Sequence, residues 1–234
     1  MQLFTFCSCA MAALASRMAA STAAGCASAR AQRAFLDGVS RLADHGIRTF
    51  LVHGNHDPVR EGWTAITTFP DAVHRFSETE VESVELTVDG EQVVIHGTSY
   101  ATSATTDNLA LRFPAATPRA FNVGLLHANL GGLGSKHQDY SPCTVDDLRR
   151  TGYQYWALGH VHEHRIWRGE TTIAFPGNLQ GRHIREPGPR GALLVSATGS
   201  EIDAVERLAP AAECLRQATH FDRCNHQLDR KSVV

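Results

Sequence analysis

Thirteen histidines stand in this chain of 234 residues, and several sit where imidazole chemistry could be assembled. Gly54-Asn55-His56-Asp57 puts an amide oxygen, an imidazole and a carboxylate into one turn. His127 closes the apolar run Phe121 to Leu126. His160 and His162 follow the apolar run Tyr153 to Leu158, after Gly159. Imidazole nitrogens and a carboxamide oxygen suit Mn²⁺, Fe²⁺ or Zn²⁺. On extended backbone His160 and His162 would face opposite sides, whereas in a turn after Gly159 both can aim into one cleft and flank two ions. Each histidine taken singly reads as a hydrogen-bonded core or loop residue. Their shared position, at the carboxyl ends of apolar runs, is what favours a common site.

The elements that must position them follow from periodicity. Ala34, Phe35, Val39, Leu42 and Ala43 recur at helical spacing, with Gly46 as a stop. Thr49 to Val52 reads as a short buried strand that empties into the Gly54 turn. Val81 to Leu86 and Gln92 to Ile95 form a hairpin around Asp89-Gly90. Phe121 to Leu126, Tyr153 to Leu158, Thr171 to Phe175 and Ala192 to Val195 read as further strands, and Ser141 to Arg150 as a short helix. Helices alternating with apolar strands indicate an α/β fold, and open α/β sheets place their sites at the strands' carboxyl ends. Tyr155 and Trp156 are expected in the core.

The stretches Gly54-Asn55-His56-Asp57, Leu125-Leu126-His127-Ala128-Asn129 and Ala157-Leu158-Gly159-His160-Val161-His162 resemble the calcineurin-like metallophosphoesterases. Together with Phe175-Pro176-Gly177-Asn178-Leu179-Gln180-Gly181-Arg182-His183, they are similar to the SbcD/Mre11-type DNA repair exonucleases, in particular the YhaO-like branch. The resemblance covers about Ala31 to Ala204. It implies a four-layer α/β/β/α metallophosphoesterase sandwich with two divalent ions, usually Mn²⁺, across the strand ends. By the same resemblance Asn55, His127 and His160 bind one ion and His162 the other. His56 contacts the phosphate and protonates the leaving oxygen, and Asp57 orients His56. The implied activity is hydrolysis of DNA phosphodiester bonds by a two-metal-activated hydroxide. The implied partners are DNA, an SbcC/Rad50-like ATPase and a second copy of the chain as a homodimer, in the cytoplasm. A phosphodiesterase or phosphatase acting on small nucleotides, and a non-catalytic remnant binding nucleic acid or a partner, are the alternatives.

The sequence departs from that family in one respect. Its opening Asp-x-His and following Gly-Asp motifs have no counterpart, since no Asp, Glu or His precedes Asp37. Asp37, Asp44 and His45 lie on or beside the helix before the Gly54 turn, where they cannot take those roles. The fold is therefore expected to be N-terminally incomplete, with one ion well held at most and activity impaired. The strand at Phe50 is expected to expose an unpaired edge unless the first residues replace the missing strands.

Composition bounds the remainder. A net charge of -2 excludes a globally basic nucleic-acid coat. No apolar run reaches membrane-spanning length. The six cysteines contain no CxxC pair and make no disulfide scaffold. Residues 1–31, rich in Ala, Ser, Met and Cys, are open to three readings: a segment foreign to the native frame, a targeting-like peptide, or an Ala-rich helix. A metallophosphoesterase domain is expected over 32–208, and an irregular or truncated tail over 209–234. Arg182, His183 and Arg185, with Arg190, form the densest basic cluster, suited either to a DNA backbone or to a solvated loop. Gly131-Gly132-Leu133-Gly134-Ser135-Lys136 fails the P-loop pattern, Gly97-Thr98-Ser99-Tyr100-Ala101 fails the nucleophile-elbow pattern, and HExxH is absent.

Overall fold

A computed structural model describes residues 29–61, 66, 68–131, 140–178 and 191–208. Helix α1 spans Ala29–Asp44. It ends as the sequence indicates. The Gly46 N–H donates to the Ala43 carbonyl and the Ile47 N–H to the Leu42 carbonyl, each at 2.9 Å, with Gly46 at φ +73°. This crossed pair of bonds is a Schellman stop, which needs a left-handed residue.

Strand β1 (Thr49–Leu51) follows and pairs in parallel with β2 (Val73–Arg75), Phe50 opposite His74. The edge expected to stay open at Phe50 is thus covered on one side, by a strand too short and too polar to be read from the sequence.

The main sheet holds six strands. They are β3 (Glu82–Val88), β4 (Glu91–Gly97), β5 (Phe121–His127), β8 (Tyr155–Gly159), β10 (Thr172–Phe175) and β9 (Arg165–Trp167), in that spatial order. β4, β5, β8 and β10 run parallel, and the outer pairs β3–β4 and β9–β10 are antiparallel. The β3–β4 turn has Asp89 and Gly90 both at positive φ, 50° and 89°, as a two-residue hairpin turn requires. The central strands are buried on both faces, which is why they read as continuous apolar runs.

Each face of this sheet has its own core. On one, Val93, Ile95, Val123, Leu125, Tyr155 and Ala157 meet Phe50 and Phe76, along with Leu193 and Val195. The last two come from β11 (Ala192–Thr198), which forms an antiparallel hairpin with β12 (Glu201–Leu208). On the other face Leu126, Trp156, Leu158 and Phe175 pack against Leu109, Phe113 and Leu148. Leu148 belongs to α2 (Val145–Arg149). With α1 against β1, the layers run α, β, β, α. The fold is an α/β sandwich, as expected, with Tyr155 and Trp156 fully buried in its cores.

Helix α2 is shorter than Ser141 to Arg150. Ser141 sits at φ +40°, and Pro142–Cys143 forms β7, a two-residue parallel pairing with β6 (Asn129–Leu130). The helix starts only at the Thr144 cap, where the Thr144 side chain and Asp147 bond each other's backbone N–H groups. β9 and β12 also escape the sequence reading. β12 carries Glu201, Asp203, Glu206 and Arg207 and presents much of its length to solvent.

One polar residue is committed deep in the sheet. His96, 1% exposed, stacks on Tyr153 at 4.4 Å between ring centroids. Burial lowers its pKa below the ordinary imidazole value, with the Asn122 hydrogen bond opposing. An unfolded chain therefore takes up a proton that the folded one resists, so this contribution holds above about pH 6.5 and is lost as pH falls below it. Urea midpoints are expected to fall as pH drops below that value, and less steeply in His96→Phe, which keeps the stack and cannot titrate.

Candidate functional site

The register of two parallel strands builds the floor of the site. His127, the last residue of β5, pairs with Gly159, the last of β8, and the Ala128 N–H donates to the Gly159 carbonyl at 3.2 Å. His160 is the next residue after that pair, so both imidazoles emerge at the same level. Their ring centroids lie 5.2 Å apart. His160 adopts φ +103°, a backbone conformation that side-chain-bearing residues rarely take. Strain of this kind gathers where a side chain must be aimed.

The Gly54 turn is brought in by β1 and tied to the continuation of β4. The His53 N–H donates to Ser99 Oγ at 3.1 Å, and the Tyr100 N–H donates to the His53 carbonyl at 3.0 Å. Ser99 in turn donates to the Phe76 carbonyl at 2.7 Å. These bonds set Asn55 against His127: the His127 Nε2 and the Asn55 Oδ1 lie 2.9 Å apart across 72 residues of sequence. Adjacent ligands on one cation, with bonds of about 2.1 Å, stand roughly 3 Å apart. The observed spacing is of that size.

Two glycines make room for the His127 ring. A Cβ at Gly54 would overlap the ring, its Cε1 only 2.5 Å away, and one at Gly159 would lie 3.0 Å from Nδ1. The glycines of both sequence motifs thus serve one imidazole. Tyr100 closes against it edge-on at 5.2 Å. Burial, and then the neighbouring His160, His56 and His162, hold the His127 pKa well below the ordinary imidazole value. That keeps the ring neutral, which is the form that ligates a metal. The same interactions place His56 and His162 within electrostatic reach of His127.

Asp57 turns its carboxylate inward, onto the base of the turn that carries His56. Its Oδ1 accepts the Gly54 N–H at 2.9 Å, and its Oδ2 lies 3.2 Å from His53 Nδ1. The His53 ring also donates to the Asp57 carbonyl at 2.8 Å. Asp57 and His53 are both nearly fully buried. The carboxylate therefore braces the turn that carries His56, while His56 itself is exposed. His53 is not among the residues singled out in the sequence, although a histidine directly after the apolar run Thr49 to Val52 is the same signal that marks His127. The Gly177 motif has a local reason too. A Cβ there would sit 2.8 Å from the His162 carbonyl, and the Asn178 N–H donates to that carbonyl at 3.3 Å. This segment buttresses the loop of His160 and His162.

Among the described residues no three His, Cys, Asp or Glu side chains converge as a metal group. Asn55, His127 and His160 fit a single ion, as one amide oxygen and two imidazoles. The described residues do not fit a two-ion centre, because none of their carboxylates joins the cluster. Arg182, His183 and Arg185, and the Gly132–Lys136 stretch, lie outside the described residues. No helix among the described residues is long and apolar enough to cross a membrane.

No family model matches the chain. Relatives do. The chain is 38% identical over 164 residues to the uncharacterized metallophosphoesterase YhaO of Bacillus subtilis, covering 69% of this chain and 40% of that protein. It is 27% identical over 221 residues to the DNA double-strand break repair protein Mre11 of Thermoplasma acidophilum, covering 86% of this chain and 56% of that one. The chain thus spans about half the length of the curated relatives it matches. A solved crystal structure aligns over 75% of this chain and 72% of its own, with a TM-score of 0.40 and 17% identity. The strand-end histidines and these relatives together define a calcineurin-like metallophosphoesterase. Within that class the chain belongs to the Mre11/SbcD type.

Two substitutions probe this geometry. Gly54→Ala should displace the His127 ring and destabilise the fold by about 1–3 kcal/mol, as overpacking does, read by denaturant unfolding. His160→Gly should release the strained φ and raise stability by roughly 1 kcal/mol. Loss of stability in His160→Gly would show that its conformation is not strained.

Proposed function

We propose that this chain is a metal-dependent phosphodiesterase acting on DNA, of the repair-exonuclease kind, with a centre that holds one ion well and turns over slowly. The observation that carries the reading is the meeting of Asn55, His127 and His160 at the carboxyl ends of three strands, in a chain related to a metallophosphoesterase and to a double-strand break repair protein. Asn55, His127 and His160 hold the ion, and His162 lies at its flank. Mn²⁺ is the ion proposed. When bound, a divalent ion supplies Lewis acidity towards the phosphoryl oxygen and acidifies water.

The chain's own residues do the rest. His56, exposed at the tip of the turn, contacts the phosphate and donates its proton to the leaving oxygen. Such acid catalysis is worth about 10²–10⁴-fold. Asp57, braced by Gly54 and His53, fixes the backbone from which His56 reaches out. Arg182, His183 and Arg185 are proposed to grip the DNA backbone, where cations supply most of the affinity. An SbcC/Rad50-like ATPase and a second copy of the chain are the proposed partners, and the cytoplasm the proposed compartment. The domain is proposed to span 32–208.

The absence of a carboxylate from the cluster among the described residues favours a second reading, in which the site binds a phosphodiester and does not cleave it. Incubation with Mn²⁺ and either linear DNA or a bis-aryl phosphate separates the two. The expected result is slow, Mn²⁺-dependent cleavage of DNA, reduced about 100-fold in His56→Gln with metal content unchanged. Equal rates in His56→Gln would overturn the role of His56. DNA binding without cleavage would establish the second reading. Preference for a mononucleotide over DNA would point instead to a small-nucleotide phosphodiesterase. Metal analysis is expected to give at most one tightly held Mn²⁺ per chain, and two would overturn the single-ion centre.

A further inference from the structure

A second polar relay crosses the edge of the main sheet, separate from the strand-end cluster. Ser83 on β3 faces His96 on β4 in register, and Ser83 Oγ lies 2.7 Å from His96 Nδ1. The other ring nitrogen, Nε2, lies 3.1 Å from Asn122 Oδ1.

The direction of each bond follows from its surroundings. Asn122 Oδ1 also accepts the Thr117 N–H at 2.8 Å, so that atom is an oxygen. The Asn122 Nδ2 donates to the Thr117 and Ala120 carbonyls, at 3.0 and 2.8 Å, which fixes the amide the same way round. Between His96 and Asn122 the donor must then be the imidazole Nε2–H. In a neutral ring Nδ1 is left as an acceptor, and the Ser83 hydroxyl donates to it. Burial keeps the ring neutral. Tyr153 stacks on it with only 13° between planes and holds its orientation.

A hydroxyl donating to an imidazole whose other N–H is held by a fixed oxygen is the arrangement that activates serine nucleophiles. Ser83 is exposed to solvent on an edge strand. Ser83 thus meets solvent while its base is buried.

We infer that Ser83 is a base-activated nucleophile that accepts acyl groups from small activated esters. As Oγ bonds to the acyl carbon, its proton passes to His96 Nδ1. The bond from that carbon to the ester oxygen breaks, its electron pair leaves on the oxygen, and the proton from His96 neutralises it. Water then releases the acid and restores the hydroxyl. The relay uses no metal, so it stands apart from the phosphodiesterase reading.

The full chain is treated with p-nitrophenyl acetate in the presence of EDTA, and acetylated residues are mapped by mass spectrometry at early times. The expected result is Ser83 acetylated about 100-fold faster than the chain's other serines. In urea the preference should vanish. Ser83→Ala should abolish the fast phase, and His96→Gln should slow it to the rate of the other serines. Acetylation of Ser83 at the common rate in the folded chain overturns the inference, as does an unchanged fast rate in His96→Gln. Should His96→Gln fail to fold, the comparison of folded and urea-treated wild-type chain decides alone.

Discussion

Everything at the strand ends depends on where one imidazole ring can lie. His127 is enclosed by the backbones of Gly54 and Gly159, which approach so closely that neither could carry a Cβ without displacing it. Those glycines come from segments more than a hundred residues apart in the chain. Their shared contact makes the Gly54 turn and the β8 terminus parts of one object. From that turn Asn55 Oδ1 meets His127 Nε2 at 2.9 Å. The constraint is steric before it is electrostatic: close packing selects the geometry, and the donor atoms inherit it.

A second tier of residues holds that geometry without touching the cleft. Ser99 and Tyr100 tie β1 to the continuation of β4, Asp57 and His53 brace the turn from beneath, and Gly177 lets the 175–178 segment press on the backbone of the His162 loop. Each is a backbone or buried-polar device. This accounts for a site made of loops that still has defined contacts. Supporting hydrogen bonds of this sort fix the orientation of the side chains they carry.

The sequence disclosed the strand-end side chains more readily than their supports. Asn55, His127, His160 and His162 follow apolar strands, and apolar runs with polar ends are legible from periodicity. The central strands were legible for the same reason, being buried on both faces. β2, β9 and β12 were not: the first two have three residues each and the third alternates charge with half-exposed positions, so packing and pairing rather than pattern make them strands. The resemblance gives Asp57 to His56, and the turn also sends its carboxylate back to Gly54 and His53. The capping box at Thr144 was present in the sequence as Thr-x-x-Asp, and the helix began there rather than at Ser141. What periodicity cannot convey is which loop carbonyl meets which amide, and that is where the site's precision resides.

The pairing of His127 with Gly159 makes the centre a gauge of strand alignment. A slip of one residue between β5 and β8 would turn His127 towards the opposite face of the sheet. A slip of two would keep the face and shift the ring along the strand by about 6.6 Å, beyond reach of Asn55. Only one alignment brings the three donors together. On the proposed reading, cation capture would report whether the sheet has closed correctly, and a bound ion would bias the chain against its misaligned forms.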